Sequence, residues 1–182
     1  FTYGDVMRYF LLTAFLFSMM MGCKPEQEFL TPAQIAAEKK EVKTVVVQFT
    51  KALNEKNYSA LLGNLASEIS FFGTDSAEII NTFPQFKKAM DDQWSSFEKV
   101  KYGEMQDVLI LMDDKATFAS IKFGMPVDLL KEGKLSHLYI RVERTLIKEN
   151  KRWVIRAGIV GIVNSDSSPQ IEDALTSEPV DE

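Results

Sequence analysis

Ser136-His137-Leu138-Tyr139-Ile140-Arg141-Val142-Glu143-Arg144-Thr145-Leu146-Ile147-Lys148-Glu149-Asn150-Lys151-Arg152-Trp153-Val154-Ile155 is the stretch on which the fold turns. His137, Tyr139, Arg141, Glu143 and Thr145 alternate with Leu138, Ile140 and Val142, the period-two signature of a strand with one polar and one apolar face. Glu149-Asn150-Lys151 interrupts the run and Trp153 to Val163 resumes it, so two long strands meet in a hairpin. Upstream, Lys99–Met112 and Ala116–Met125 read as two more strands, with Asp113-Asp114-Lys115 and Lys131-Glu132-Gly133-Lys134 as turns. Short connections of this kind join antiparallel neighbours.

Helices precede the sheet. Thr31-Pro32-Ala33-Gln34 combines a capping threonine, a proline at the first helical position and a glutamine three residues after the cap, which marks a helix start. The helix is predicted from Pro32 to Lys56, with Ile35, Val42, Val45, Val46, Phe49 and Leu53 forming one apolar stripe. Glu38-Lys39-Lys40-Glu41 falls opposite the stripe and reads as a solvated face. Asn54-Glu55-Lys56-Asn57 ends this helix, and Tyr58 to Leu65 is a short second one. Glu68 to Phe72 is a strand closed by the turn Gly73-Thr74-Asp75-Ser76. Pro84 to Phe97 is a third helix, with Phe86, Met90, Trp94 and Phe97 on one side. Helices first and strands after give an α+β fold, a curved antiparallel sheet wrapped on the long helix.

The N-terminal part carries a different message. Arg8 precedes an apolar run that ends in Met20-Met21-Gly22-Cys23, and the run falls short of the roughly 20 residues of a spanning helix. It resembles a bacterial lipoprotein signal, which implies cleavage before Cys23 and acylation of its thiol and new amine; several acyl chains make a stable anchor. Residues 1–22 are then an upstream extension and signal peptide, 23–30 a lipidated tether, 31–163 one domain and 164–182 an acidic tail expected to be disordered. About 160 residues follow the signal, enough for one core. With Cys23 committed to lipid, no intrachain disulfide forms and packing alone must stabilise the fold. The net charge of −5 resides in the tail, leaving no basic surface for nucleic acid. Lys24 after Cys23 is not the retention aspartate of enterobacterial inner-membrane lipoproteins, so an outer-membrane position is expected.

Three stretches resemble the nuclear-transport-factor-2-like superfamily, in particular its snoaL-like branch. They are Val45–Leu61, similar to the opening helix, break and second helix; Phe71–Glu78, similar to the strand-turn at the pocket mouth; and Arg144–Ile155, similar to the closing hairpin. The resemblance covers residues 42 to 163 and implies a cone with a pocket between sheet and helices, often dimerised through the open sheet face. Many relatives follow the tryptophan strand with a His-x-His-x-Ser pattern; Ala157, Ile159 and Gly161 stand there instead. Catalytic members of the superfamily, such as ketosteroid isomerases and scytalone dehydratase, need a tuned carboxylate, histidine or tyrosine inside an apolar cone.

Candidate residues carry two readings each. The ladder from His137 to Thr145 either lines a pocket, with Glu143 or His137 as base and Tyr139 as donor, or forms the outer sheet face with Arg141 paired to a carboxylate; alternating polarity favours the outer face. Asp75 and Glu78 either reach into the mouth as acid and base or bind a cation, or else Asp75 caps the next turn through its side chain, the commoner role. Phe71, Phe72, Trp94, Trp153 and Ile159 are the candidate pocket lining, although core and pocket wall are continuous in a cone. One histidine and one lipidated cysteine cannot build a transition-metal site, and no glycine-rich phosphate loop or serine elbow is present. The expected protein is a lipid-anchored envelope domain without cofactor, binding a small apolar ligand or a protein partner and forming a homodimer through its sheet face; the alternatives are an isomerase, dehydratase or hydrolase on a hydrophobic substrate, or a structural envelope protein.

Overall fold

The computed structural model describes residues 29–74 and 78–163. Cys23, the signal, the acidic tail and Asp75 lie outside the described residues. The elements run α1 (Pro32–Asn54), α2 (Tyr58–Gly63), β1 (Leu65–Phe72), β2 (Ile79–Ile80), α3 (Phe83–Ser96), β3 (Lys99–Tyr102), β4 (Gln106–Met112), β5 (Phe118–Lys131), β6 (Lys134–Glu149) and β7 (Arg152–Ile162). The architecture is α+β, a seven-stranded curved sheet with the helices on its concave side.

Local chemistry sets the helix ends. Thr31 Oγ1 accepts from the Gln34 amide while Gln34 Oε1 accepts from the Thr31 amide at 2.8 Å, a complete capping box. Thr82 repeats the cap for α3 with Gln85 and Pro84 in the first turn. Val42, Val46, Phe49 and Ala52 bury the α1 stripe against the sheet, each large side chain contributing about 1.5–3 kcal/mol. Leu30, assigned to the tether from sequence, already packs on this core and donates its amide to the Asp114 carbonyl at 2.9 Å.

The sheet order is β2-β1-β7-β6-β5-β3, with β4 also paired to β5. All pairings but one are antiparallel. β1 runs parallel to β7, so the sheet is mixed, a departure from the all-antiparallel expectation. It arises because helix α3 and the β3–β6 strands intervene in sequence between β1 and β7, which requires a crossover rather than a hairpin.

Two further differences share one cause. The predicted strand 99–112 is split into β3 and β4, and β5 continues past Met125 to Lys131. Pro126 lies at the break. Tyr102 pairs with Val127 and Gln106 with Gly124, so three residues on one side oppose two on the other. The Pro126 carbonyl accepts from Gly103, and its missing N–H falls where the partner strand is interrupted, which lets a proline sit mid-strand. The bulge bends the sheet and opens the cone.

The hairpins are tight. Glu132 and Gly133 have φ of 51° and 69°, and Asn150 and Lys151 have 51° and 63°, the positive pair of a type I′ turn whose twist matches the strands. Between β4 and β5, Asp113 accepts from the amides of Thr117 (2.7 Å) and Phe118 (2.8 Å). Burial alone would raise its pKa, and these hydrogen bonds outweigh it and hold the carboxyl below its ordinary value.

Glu38 is a correction at the α1 surface. It is half-buried rather than solvated: its carboxylate accepts from Lys148 Nζ at 2.5 Å and from Trp153 Nε1 at 2.6 Å. Burial pushes its pKa up, but the two donors and the lysine charge hold it below the ordinary value. Among the described residues no helix is long and apolar enough to cross a membrane.

Candidate functional site

The concave side does not close completely. A cavity of about 620 Å³ lies between α1, α3 and the sheet, within the roughly 300–1,000 Å³ span of small-molecule sites. Its walls are mainly apolar: Phe49 on α1, Phe86 and Met90 on α3, Phe71 on β1, Phe123 on β5 and Val142 on β6. Phe86 is the aromatic hinge of this wall, with ring centroids 5.9 Å from Phe71 and 6.5 Å from Phe49.

Two polar groups reach the interior from apolar elements. Arg144 occupies the inward phase of β6, after Ile140 and Val142. Its Nη1 donates to the Glu143 carbonyl at 3.1 Å and the Ile159 carbonyl at 3.4 Å, and its guanidinium lies 5.5 Å from the Phe71 ring centroid. It is half-buried and lines the cavity; desolvation lowers its pKa to about 10, so it stays charged at neutral pH. Gly158 makes room for it. A Cβ at that position would stand 2.7 Å from the Arg144 Cδ. The second group is Tyr102, whose hydroxyl accepts from Gln93 Nε2 at 2.7 Å. Burial raises its pKa against the opposing pull of the Gln93 hydrogen bond and the Arg144 charge.

Tyr139 and Glu143 face the other way. They share the outer phase of β6, on the opposite side of the sheet from Ile140, Val142 and the cavity. Tyr139 lies flat over Gly124 and donates to Gln106 Oε1 at 3.2 Å. Glu143 accepts from Ser120 Oγ at 2.8 Å and pairs with Lys122 at 3.6 Å. His137 sits on the same face with Asp128 at 2.8 Å. The ladder's ion pair therefore involves Glu143 with Lys122, where the sequence reading had assigned one to Arg141.

Of the five lining candidates, Phe71 and Phe72 lie on the cavity wall, and Trp94, Trp153 and Ile159 do not. On α3 the cavity stripe includes Phe86, Met90 and Gln93, with Phe97 just past the helix end; Trp94 stands one position past Gln93 and packs elsewhere on the core. Trp153 is 2% exposed but lies under the first half of α1, held by Glu38. Ile159 pairs with Glu143 and shares its outer face, 50% exposed. Glu78 lines the cavity at its Gly73–Thr74 end and accepts from the Thr74 amide at 2.8 Å.

Arg144, Tyr102 and Gln93 escaped the sequence reading, although two of the three left a signal. Extending the apolar phase Leu138-Ile140-Val142 by one step lands on Arg144, a charge on the buried face. Extending the α3 stripe from Phe86 by seven residues lands on Gln93. Tyr102 left none, because the strand break after it hides its phase.

Residues 42–158 match the SnoaL-like domain family. The chain belongs to that family. No curated protein matches it. The SnoaL-like domain is similar in fold to a dehydratase candidate of the NTF2-like family from Streptomyces avermitilis, at 9% identity and a TM-score of 0.63 over 71% of this chain and 99% of that one. A candidate scytalone dehydratase from Novosphingobium aromaticivorans gives 10% identity and 0.66 over 74% and 89%. A protein with a cystatin-like fold from Nostoc punctiforme gives 15% and 0.61 over 76% and 97%. Identities this low establish a shared fold, that of the NTF2-like and cystatin-like structures. Among its described residues no group of three or more His, Cys, Asp or Glu stands where it would hold a metal ion.

Proposed function

We propose that this SnoaL-like domain is a non-catalytic binding module of the bacterial cell envelope that holds a small apolar molecule in its cone. The observation that carries the reading is the cavity itself: about 620 Å³ of space in a core otherwise packed from α1 to β7, where a protein without a ligand to hold would gain dispersion and burial by collapsing. Its interior polar groups are a guanidinium and a phenol bonded to an amide, with no nucleophile–base pair between them. Native mass spectrometry of the full chain tests this. A retained small molecule, lost when Ala89→Trp fills the cavity from α3, supports the reading; an empty protein that also ignores added apolar probes contradicts it.

The proposed anchor is the acylated thiol of Cys23, supported by the Met20-Met21-Gly22-Cys23 sequence, with residence in the outer membrane. Cys23→Ser is expected to move the protein from the membrane pellet to the soluble fraction and to abolish incorporation of a labelled fatty acid. Homodimerisation through the outer sheet face is supported by Leu109, Leu111 and Ile159, each about half exposed beside Lys122 and Glu143; Leu111→Arg is then expected to halve the mass in light scattering.

A second reading is an enzyme acting on a hydrophobic substrate, for which the Tyr102 phenol inside an apolar cavity is the supporting observation. It predicts that the retained molecule is converted, for example by loss of water, in the wild type and not in Tyr102→Phe.

A further inference from the structure

A guanidinium has five N–H donors, and Arg144 spends only one corner of its fork on the protein. Nη1 serves the Glu143 and Ile159 carbonyls. Nε and Nη2, which form the side-on edge of the group, have no hydrogen-bond partner, and no described carboxylate lies within ion-pair distance of them. No buried side-chain nitrogen or oxygen among the described residues is left without a partner, so these donors face open space, and the space in front of them is the cavity.

The group is also held in place before any ligand arrives. Phe71 stacks beneath it, the two carbonyls fix Nη1, and Gly158 across the β6–β7 ladder leaves the room its stem occupies. Tyr102 adds a third donor. Its oxygen accepts from Gln93, so the phenolic proton is left to point elsewhere. The remaining charged groups on the lining, Glu78, Lys88 and Asp92, are exposed, and the Glu78 charge reaches Tyr102, adding to the rise in its pKa. Arg144 is thus the one half-buried cation on the lining, with open donors and no carboxylate paired to it among the described residues, an arrangement that favours an anion beside apolar walls.

Resting on the binding reading above, we infer that the ligand is an apolar monocarboxylate: its two oxygens lie on the Nε–Nη2 edge of Arg144, Tyr102 donates to one of them, and its hydrocarbon body lies along Phe86 and Val142. A planar two-oxygen anion matches the edge geometry of a guanidinium. One fixed cation suits one negative charge, and the lining offers no second interior cation for a phosphate dianion.

Calorimetric titration of the full chain with octanoate and with octan-1-ol separates the terms. Octanoate is expected to bind about 10- to 100-fold more tightly than the alcohol, the span of a charge-assisted hydrogen-bonded pair. Arg144→Met is expected to erase that preference by weakening octanoate far more than the alcohol, Arg144→Lys to restore it only in part, and Tyr102→Phe to weaken octanoate several-fold. Should Arg144→Met fail to fold, the wild-type preference and Tyr102→Phe carry the test. Equal binding of acid and alcohol by the wild type, or a preference that survives both substitutions, overturns the carboxylate assignment and leaves the pocket standing. Failure of both probes to bind overturns the pocket and the carboxylate together.

Discussion

Arg144 and Glu38 show how one charged residue changes meaning with its environment. Glu38 belongs to a charge run that looks solvated, yet it reaches across to Lys148 and Trp153 and ties α1 to β6 and β7. Its folded pKa is held below the ordinary 4.5. The stabilisation it brings is therefore complete above about pH 4.5 and disappears as the pH falls through the lower folded value. Thermal denaturation between pH 7 and 3 is expected to show Glu38→Gln losing less stability on acidification than the wild type, and starting from a lower melting temperature at pH 7. Equal acid sensitivity in the two proteins would contradict the linkage. Tyr139 and Glu143, plausible as pocket groups from their alternation alone, lie on the outer face. Tyr139→Phe and Glu143→Gln are accordingly expected to leave the affinity for an apolar probe within experimental error, measured by the same titration that reads Arg144. The alternation on β6 was legible in the sequence. Its polarity also favoured the outer face for Tyr139 and Glu143, where the structure places them, whereas the charge that ends the inner phase, Arg144, was passed over.

At the scale of elements, most of the fold was written locally. The capping box at Thr31 and Gln34 predicted the start of α1, and the structure begins the helix there. Thr31→Ala is expected to cost about 1 kcal/mol, read as a lowered urea midpoint with an unchanged slope. Gly133, at φ 69° in the β5–β6 turn, is expected to respond to Gly133→Val with a comparable or larger loss, since a β-branched residue resists positive φ. What local signals missed was non-local. The parallel pairing of β1 with β7 depends on a crossover of 79 residues, 73–151, and β2 is two residues long. The strand expected to end at Met125 runs on through Pro126, whose carbonyl is used and whose missing donor falls at the gap between β3 and β4, a coincidence that only the partner strands reveal. Trp94 was misplaced by one position on α3, which is enough to turn a side chain by about 100° around the helix.

For the whole molecule, the SnoaL-like cone is a compromise between a packed core and an open one. The end under the first half of α1 is dry and tight, closed by Trp153, Leu146 and Val42. The end under α3 and the β1–β2 edge keeps a cavity whose aromatic wall surrounds one arginine. That asymmetry is the basis for assigning binding to one end and stability to the other. The outer face, carrying Leu109, Leu111 and Ile159, is a separate surface with its own proposed partner. The most direct test of the central claim is methyl-resolved NMR of the full chain during titration with octanoate. The account predicts saturable shifts at the cavity methyls of Met125, Ile140, Val142 and Val160, with Leu146 and Val154 at the tight end unmoved. Shifts confined to Leu109, Leu111 and Ile159, or none at all, would contradict it.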